Sequence, residues 1–241
     1  MKIYIMRHGE TDWNRVALLQ GRTDIPLNEN GRKLADLSGQ NMREIPFDLC
    51  ISSPLSRAYE TGGLILRYNR DYGDRFSALG EKYKPSVWSH GVPIVTDRRI
   101  IEVNLGPWEG KKSYGPGCTL PGGSFGSYWG DMYGRDLPEG VEPAAAVADR
   151  AEDFLKDLES RPELQDKTVL VLVHGGLIQC LLWAVEGRGS LDNRIPFNCE
   201  AVILESGDDG KLQLRGSELF YDSSLAEDFY HKARTEKGEE K

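Results

Sequence analysis

One segment of the sequence restricts the fold more than any other. Thr168–Val173 reads Thr-Val-Leu-Val-Leu-Val, an apolar run without polar alternation, which is typical of a parallel strand buried on both faces. It ends at His174-Gly175-Gly176, and apolar residues then recur at helical spacing as far as Val185. A buried strand that leads directly into a helix predicts an α/β protein built on a parallel sheet.

Two earlier segments repeat the order of strand, polar residues and helix. Residues 2–6 predict a strand followed by Arg7 and His8, and residues 47–51 predict one followed by Ser52-Ser53-Pro54. Because the carboxyl ends of parallel strands open on one edge of a sheet, ligands bind there. The side chains expected to meet at that edge are His8, His174, Arg7 and Arg57.

The remaining pattern predicts one α/β domain over residues 1–241, with helices on both faces of a mostly parallel sheet in three layers. Further helices are predicted to begin near residues 30, 54 and 143. Further strands are predicted at residues 92–95, 201–204 and 212–214. Residues 13–28 are predicted to be a loop. We expect insertions at about 68–93 and 111–140, and a flexible charged tail at about 227–241.

Composition excludes several classes of protein. Thirty Lys and Arg against 38 Asp and Glu give a net charge of −8, which argues against a nucleic-acid binder. The longest uninterrupted apolar stretch has six residues, 180–185, so no membrane span is expected. The four cysteines form no Cys-x-x-Cys pair, which argues against a disulfide frame or a zinc ribbon and favours the cytoplasm.

Two imidazoles and two guanidinium groups on one edge indicate a phosphoryl site. Guanidinium groups match phosphoryl oxygens in a bidentate manner, whereas a metal site needs carboxylates or histidines at ligand spacing, and no such motif occurs. Glycine after each histidine would let backbone N–H groups approach these oxygens. A neutral imidazole can then attack phosphorus and hold the group covalently.

The motif Arg7-His8-Gly9-Glu10-Thr11 resembles the signature of the histidine phosphatase superfamily, which includes the cofactor-dependent phosphoglycerate mutases. The resemblance covers residues 1–67, 94–110 and 140–205, and the first motif is highly specific. It implies a phosphoglycerate mutase-like fold. It continues through the segments Ser52-Ser53-Pro54-Leu55-Ser56-Arg57-Ala58, Glu102-Val103-Asn104-Leu105-Gly106 and His174-Gly175-Gly176, and Asn198 also fits.

The resemblance also implies roles for individual residues. His8 would be the phosphorylated nucleophile, and Glu102 would be the acid that protonates the leaving oxygen and then the base that activates water. His174 would belong to the catalytic group, and the residues that bind the phosphoryl group would be Arg7, Asn14, Arg57 and His174. Possible further substrate contacts are Gln20, Gly21, Arg22 and Gly175. No metal ion and no cofactor is implied.

Three departures from the mutases favour hydrolysis. Leu105 stands where the mutases carry tyrosine, residues 111–140 hold Arg135 in place of an adjacent arginine pair, and Gly176 replaces asparagine. Gln179, where many phosphatases of the family have arginine, is a counter-observation. The leading hypothesis is a metal-independent phosphatase for a small phosphorylated metabolite. The alternatives are a phosphoglycerate mutase and a non-catalytic module that binds a phosphorylated ligand.

Two questions stay open at this stage. Arg22 could contact substrate or lie on the surface, and the aromatic residues of 106–140 could cap the substrate or pack their own loop. Specificity is expected to reside in residues 68–93 and 111–140, and the physiological substrate and oligomeric state cannot be read from the sequence.

Overall fold

A six-stranded sheet forms the centre of the computed structural model, which describes residues 1–69, 91–188 and 195–226. The strands are β1 (Lys2–Arg7), β2 (Leu49–Ser52), β3 (Ile94–Thr96), β4 (Thr168–Val173), β5 (Glu200–Ser206) and β6 (Leu212–Leu219). Their spatial order is β3-β2-β4-β1-β5-β6. The first four are parallel, β5 pairs antiparallel with β1, and β6 pairs antiparallel with β5. The mostly parallel sheet is therefore confirmed.

Helices cover both faces of this sheet. They are α1 (Asp12–Arg15), α2 (Glu29–Asn41), α3 (Ser56–Leu66), α4 (Ala144–Glu159) and α5 (Gly175–Glu186). Helices α2 and α3 pack together on one face, whereas α4 and α5 pack together on the other. This arrangement confirms the three predicted layers.

The alternation of β4 between two cores explains its uniform apolar character. Val169, Val171 and Val173 belong to the core beneath α4 and α5, and Leu170 and Leu172 belong to the core beneath α2 and α3. All five are fully buried. Because β4 pairs with β1 on one side and β2 on the other, it sets the level at which all three strands end.

The structure corrects one local prediction. Residues 13–28 were expected to be a loop, but α1 forms one helical turn at Asp12–Arg15. Its start depends on a capping box: the Thr11 hydroxyl accepts from Asn14 N, and the Asn14 side chain accepts from Thr11 N. Because the capping box consists of polar residues, apolar periodicity does not reveal it.

Residues 106–140 form an extended loop that contains three 3-10 turns. The late strands β5 and β6 are longer than predicted. Most of the predicted 68–93 insertion and the whole 227–241 tail lie outside the described residues. In the described ranges, no helix is both long and apolar enough to cross a membrane.

Candidate active site

The end of β1, the start of α5 and nearby loops surround a cavity that is open to solvent. The predicted site residues that line it are Arg7, His8, Asn14, Gln20, Gly21, Arg57, Glu102 and Gly175. His174 and Arg22 are not among the lining residues. The topology thus brings most of the predicted set to one place, although the set is drawn from segments more than 160 residues apart.

His8 directly follows β1 and is 3% exposed. Its Nδ1 lies 2.7 Å from the carbonyl oxygen of Gly9. Because a carbonyl oxygen only accepts, Nδ1 carries the hydrogen and Nε2 carries the lone pair. Burial, and then the charges of Arg57 and Arg7, hold the pKa of His8 well below its usual value, while the Gly9 hydrogen bond opposes this shift. The imidazole is therefore neutral at pH 7.

Arg57 is fully buried in the first turn of α3. Its Nη1 donates to Thr23 O at 3.0 Å and its Nη2 donates to Gly21 O at 2.8 Å. Burial lowers the pKa of Arg57 to about 10, so the guanidinium group keeps its charge at neutral pH. Arg7 Nη1 donates to Pro196 O at 2.7 Å. Two anchored cations therefore lie near the imidazole, and the charge of each lowers its pKa.

His174 packs against His8, with ring centroids 5.1 Å apart. Its Nε2 lies 2.7 Å from Ser53 Oγ, so the Ser-Ser-Pro segment after β2 orients the second imidazole. Among the described residues, His174 Nδ1 has no hydrogen-bond partner. Burial, followed by the nearby charge of Arg57, lowers the pKa of His174 well below its usual value. Both imidazoles are thus held neutral by the same surroundings.

Glu102 reaches the cavity from the loop that follows β3. Its Oε1 accepts from Val103 N at 2.9 Å, and its Oε2 accepts from Gly176 N at 3.3 Å in the first turn of α5. Burial raises the pKa of Glu102, against the opposing effects of these N–H groups and of Arg57. A carboxyl group in this position retains a proton more readily than one in water, as a general acid must.

Two amide side chains complete the polar lining. Asn14 Oδ1 accepts from both the backbone N and the hydroxyl of Thr11, each at 3.1 Å, which leaves the Asn14 amide nitrogen to donate elsewhere. Gln20 is 8% exposed, and its Oε1 has no hydrogen-bond partner within the described part of the chain. Both amides lie where a bound phosphoryl group could use them.

The glycines after the two histidines serve packing and positioning. The N–H of Gly9 donates to Thr61 Oγ1 at 3.0 Å, and a Cβ at Gly9 would lie 2.6 Å from Gly31 O. Because the Gly9 N–H already binds Thr61, the prediction that it approaches phosphoryl oxygens is wrong. The absence of a side chain at Gly9 instead allows α2 to pack closely. Gly175 does line the cavity at the start of α5, whereas the N–H of Gly176 binds Glu102.

Arg22 is part of a network behind the cavity. Its Nε donates to the carbonyl oxygen of Glu102 at 3.1 Å, and its Nη2 pairs with Glu142 at 3.0 Å. Glu142 also pairs with Arg150 of α4. The sequence did not predict a role for Glu142 or Arg150, because an arginine on an amphipathic helix usually faces solvent and no local signal marks a partner eight residues away.

Two further residues of the site were also missed. Glu109 joins two loops, because its carboxylate accepts from Arg22 N and Thr23 N at 2.9 Å and from Leu105 N at 3.2 Å. Phe125, from the 111–140 insertion, lines the cavity and stacks on Tyr128. The aromatic residues of this loop suggested that the segment could contact the substrate. The sequence did not show which of the rings lines the cavity.

Comparison with known proteins gives a consistent result. The model of the histidine phosphatase superfamily (branch 1) matches residues 3–73 and 86–216. A glucosyl-3-phosphoglycerate phosphatase of Mycolicibacterium vanbaalenii is 28% identical over 220 residues, which cover 89% of this chain and 84% of the relative. A 2,3-bisphosphoglycerate-dependent phosphoglycerate mutase of Arabidopsis thaliana is 26% identical, covering 89% and 67% respectively.

Solved structures agree with these sequence relatives. A mycobacterial glucosyl-3-phosphoglycerate phosphatase solved with VO3 superimposes with a TM-score of 0.67 at 26% identity, covering 90% of this chain and 97% of that one. Together with the site geometry, the comparisons identify a phosphoric monoester hydrolase, and the chain belongs to the histidine phosphatase superfamily, branch 1.

Proposed function

We propose that the protein hydrolyses a small phosphomonoester in two steps, through a phosphohistidine on His8 and with Glu102 as acid and then base. The observation that carries this proposal is the hydrogen bond from His8 Nδ1–H to Gly9 O. It leaves the lone pair on Nε2 of a neutral imidazole, beside Arg7 and Arg57 and in the same cavity as Glu102. These are the parts that covalent catalysis at phosphorus requires.

In the first step, the Nε2 lone pair of His8 attacks phosphorus and forms the N–P bond. The P–O bond to the leaving alcohol breaks, and the leaving oxygen takes the proton of the Glu102 carboxyl group. The guanidinium groups of Arg7 and Arg57 stabilise the charge on the phosphoryl oxygens. We propose that these groups supply the positive charge that a magnesium ion supplies in kinases.

In the second step, water attacks the phosphohistidine. The Glu102 carboxylate accepts a proton from this water, the N–P bond breaks, and its electron pair returns to Nε2. Inorganic phosphate leaves, and Glu102 is protonated again for the next ester. A raised pKa for Glu102 suits both tasks, because the group must gain and lose a proton near the working pH.

The lining of the cavity favours water over a second substrate oxygen as the acceptor. Within the described residues, Arg7 and Arg57 are the cations that line the cavity. Leu105 contributes an apolar wall, and Arg135 is exposed on the insertion and is not among the lining residues. No described cation is therefore placed for a substrate carboxylate, which supports a phosphatase rather than a mutase.

We further propose that the substrate is a small phosphorylated metabolite rather than a nucleic acid. The relatives named above are a glucosyl-3-phosphoglycerate phosphatase and a phosphoglycerate mutase, which act on small phosphorylated molecules. The net charge of −8 disfavours a large polyanion.

The four cysteines are free thiols, which fits the reducing cytoplasm that the sequence predicts.

Product analysis tests this proposal. The enzyme is incubated with 3-phosphoglycerate, phosphoserine, sugar phosphates and 4-nitrophenyl phosphate, with and without a bisphosphate primer, and both inorganic phosphate and 2-phosphoglycerate are measured. We expect phosphate release without primer and its loss in His8→Asn. Primer-dependent 2-phosphoglycerate without net phosphate release would establish the mutase instead. Saturable binding of phosphate esters with no turnover of any of them would establish the binding module.

A further inference from the structure

The loop that carries Glu102 is held by an arginine of α4, which packs against this loop. Arg150, on α4, donates from Nη1 to the carbonyl oxygens of Arg99 and Ile101 at 2.5 and 2.6 Å. Its Nη2 also donates to the carbonyl oxygen of Glu102 at 3.2 Å. One planar guanidinium group therefore binds three carbonyls of the four-residue segment 99–102, and lysine could not reproduce this geometry.

A second arginine approaches the same segment from the loop near the cavity. Arg22 Nε donates to the carbonyl oxygen of Glu102 at 3.1 Å, so this oxygen accepts from two guanidinium groups. Glu142 joins the two arginines, because its carboxylate accepts from Arg150 Nε and from Arg22 Nη2, each at 3.0 Å. It also accepts from Asn104 N at 3.1 Å. The backbone on both sides of Glu102 is thus anchored.

Burial gives this network rigidity. The side chains of Arg150 and Glu142 are 15% and 17% exposed, and Arg22 is 37% exposed. Two positive charges and one negative charge, each with several fixed donors or acceptors, resist rearrangement more strongly than an exposed ion pair. Tyr128 adds a further contact, because its hydroxyl donates to the carbonyl oxygen of Glu142 at 2.9 Å.

The position of the Glu102 carboxyl group depends on this backbone. Its two hydrogen bonds come from the N–H of the adjacent Val103 and, at 3.3 Å, from Gly176. Neither Arg150 nor Arg22 contacts the carboxyl oxygens; both bind the peptide carbonyl of the same residue. A shift of the 99–102 segment would therefore move the acid relative to the leaving oxygen, and displacements of about 1 Å cost about 10²-fold in rate.

We propose that Arg150 and Arg22, joined by Glu142, are positioning residues that hold Glu102 at the distance from which it can protonate the leaving oxygen. This inference rests on the proposed function, because it takes Glu102 as the general acid. The proposal gives the network a role in the chemical step. A purely structural role would change the stability of the protein without changing how kcat/KM depends on the leaving group.

A series of substituted phenyl phosphates tests the inference. From 4-nitrophenyl to 4-methoxyphenyl phosphate, the leaving phenol becomes a weaker acid and needs protonation more, while its size changes little. The value of kcat/KM includes only the steps up to formation of the phosphoenzyme, so it reports the protonated leaving step. We measure it for the wild type, Arg150→Gln, Arg150→Lys, Arg22→Gln and Glu102→Gln, together with thermal unfolding of each.

We expect Arg150→Gln to lower kcat/KM about 10-fold more for 4-methoxyphenyl than for 4-nitrophenyl phosphate, a part of the about 10²–10⁴-fold that general acid catalysis contributes. Arg150→Lys should not restore the rate, because an ammonium group cannot reproduce the hydrogen bonds of the planar guanidinium group to three carbonyl oxygens. Arg22→Gln should change the series in the same direction by a smaller factor. If Arg150→Gln does not fold, Arg22→Gln decides, since Arg22 is the more exposed partner.

The matched control is Lys167→Gln. The Lys167 side chain is 25% exposed and pairs with Asp48, so its loss also removes a partly buried ion pair, but neither residue contacts the 99–102 segment or the arginines that bind it. This variant should leave the dependence on the leaving group unchanged. An equal loss across the series in folded Arg150→Gln and Arg22→Gln, with a steep dependence in Glu102→Gln, would overturn the positioning role alone. A flat dependence in Glu102→Gln itself would instead overturn the general acid in the proposed function.

Discussion

The imidazole of His8, the proposed nucleophile, is kept neutral by its neighbours. Burial and the charges of Arg57 and Arg7 lower the pKa of His8, and in the proposed mechanism the same guanidinium groups bind the phosphoryl oxygens. The positive charges therefore suppress protonation of the imidazole and favour binding of the anion at the same time. The cost is the burial of Arg57, which is offset by the carbonyl oxygens of Thr23 and Gly21.

One glycine shows how closely the site is packed. Gly21 has φ +52°, and a Cβ there would lie 2.2 Å from Glu109 Oε1. Its carbonyl oxygen also accepts from Arg57. We expect Gly21→Ala to displace Glu109 and the Arg57 anchor, and so to lower kcat/KM for 4-nitrophenyl phosphate by about 10²-fold, the effect of a displacement of about 1 Å at the site.

The control for this substitution is Gly123→Ala. Gly123 has φ +73° with nothing within 4 Å of the added Cβ, so it introduces the backbone strain of about 1–2 kcal/mol without the clash. It should lower the thermal midpoint and leave kcat/KM near the wild-type value. Equal activity in the two variants would show that the contact with Glu109 is irrelevant to catalysis.

At the scale of elements, the strands and large helices could be predicted because their signals are local. The apolar run of β4 and the polar residues after β1 and β2 are visible in the sequence, and the rule for parallel strand ends brings them together. The capping box of α1 is also a local signal, but it consists of polar residues, so the apolar pattern did not predict this helix. The Glu142–Arg150 network and the contacts of Glu109 could not be predicted, because they join segments that only the folded chain brings close.

The insertion at 111–140 reaches the cavity through Phe125. This ring lines the cavity and stacks on Tyr128 at 5.1 Å, while Tyr128 and Trp129 pack into the core. We expect Phe125→Ala to lower kcat/KM for phenyl phosphate about 10-fold, or about 1.4 kcal/mol of lost apolar contact. Inhibition by inorganic phosphate, which has no apolar group to pack against Phe125, should change by less than about 2-fold.

Tyr133→Ala is the comparison for this prediction. Tyr133 lies on the same insertion, is 71% exposed and does not line the cavity. It should leave both values unchanged. If Phe125→Ala also leaves kcat/KM for phenyl phosphate unchanged, the insertion packs the fold without contacting the leaving group.

At the scale of the whole molecule, the buried histidines link stability to pH. Because burial lowers the pKa of His8 and of His174, the folded imidazoles stay neutral where the unfolded ones bind protons below about pH 6.5. The free energy of unfolding should therefore fall with decreasing pH, by up to about 1.4 kcal/mol per pH unit for each histidine. Glu102, whose raised pKa acts in the opposite sense above about pH 4.5, reduces the net slope.

Urea unfolding from about pH 8 to about pH 5 measures this slope, and His174→Gln isolates one contribution. The variant lacks one titrating group. The slope of its free energy of unfolding against pH should therefore be smaller than that of the wild type by up to about 1.4 kcal/mol per pH unit, which corresponds to one proton. The same slope in the wild type and the variant would mean that His174 is protonated in the folded protein.

The phosphoenzyme gives the most direct test of the central claim. The wild type is mixed with a ³²P-labelled phosphate ester, quenched in denaturant and digested. We predict label on the peptide that contains His8, labile in acid and stable in alkali. With 4-nitrophenyl phosphate, whose leaving phenol needs little protonation, Glu102→Gln should accumulate more label than the wild type, because water is no longer activated. Normal turnover by His8→Asn, or label that survives acid on another residue, would contradict the account.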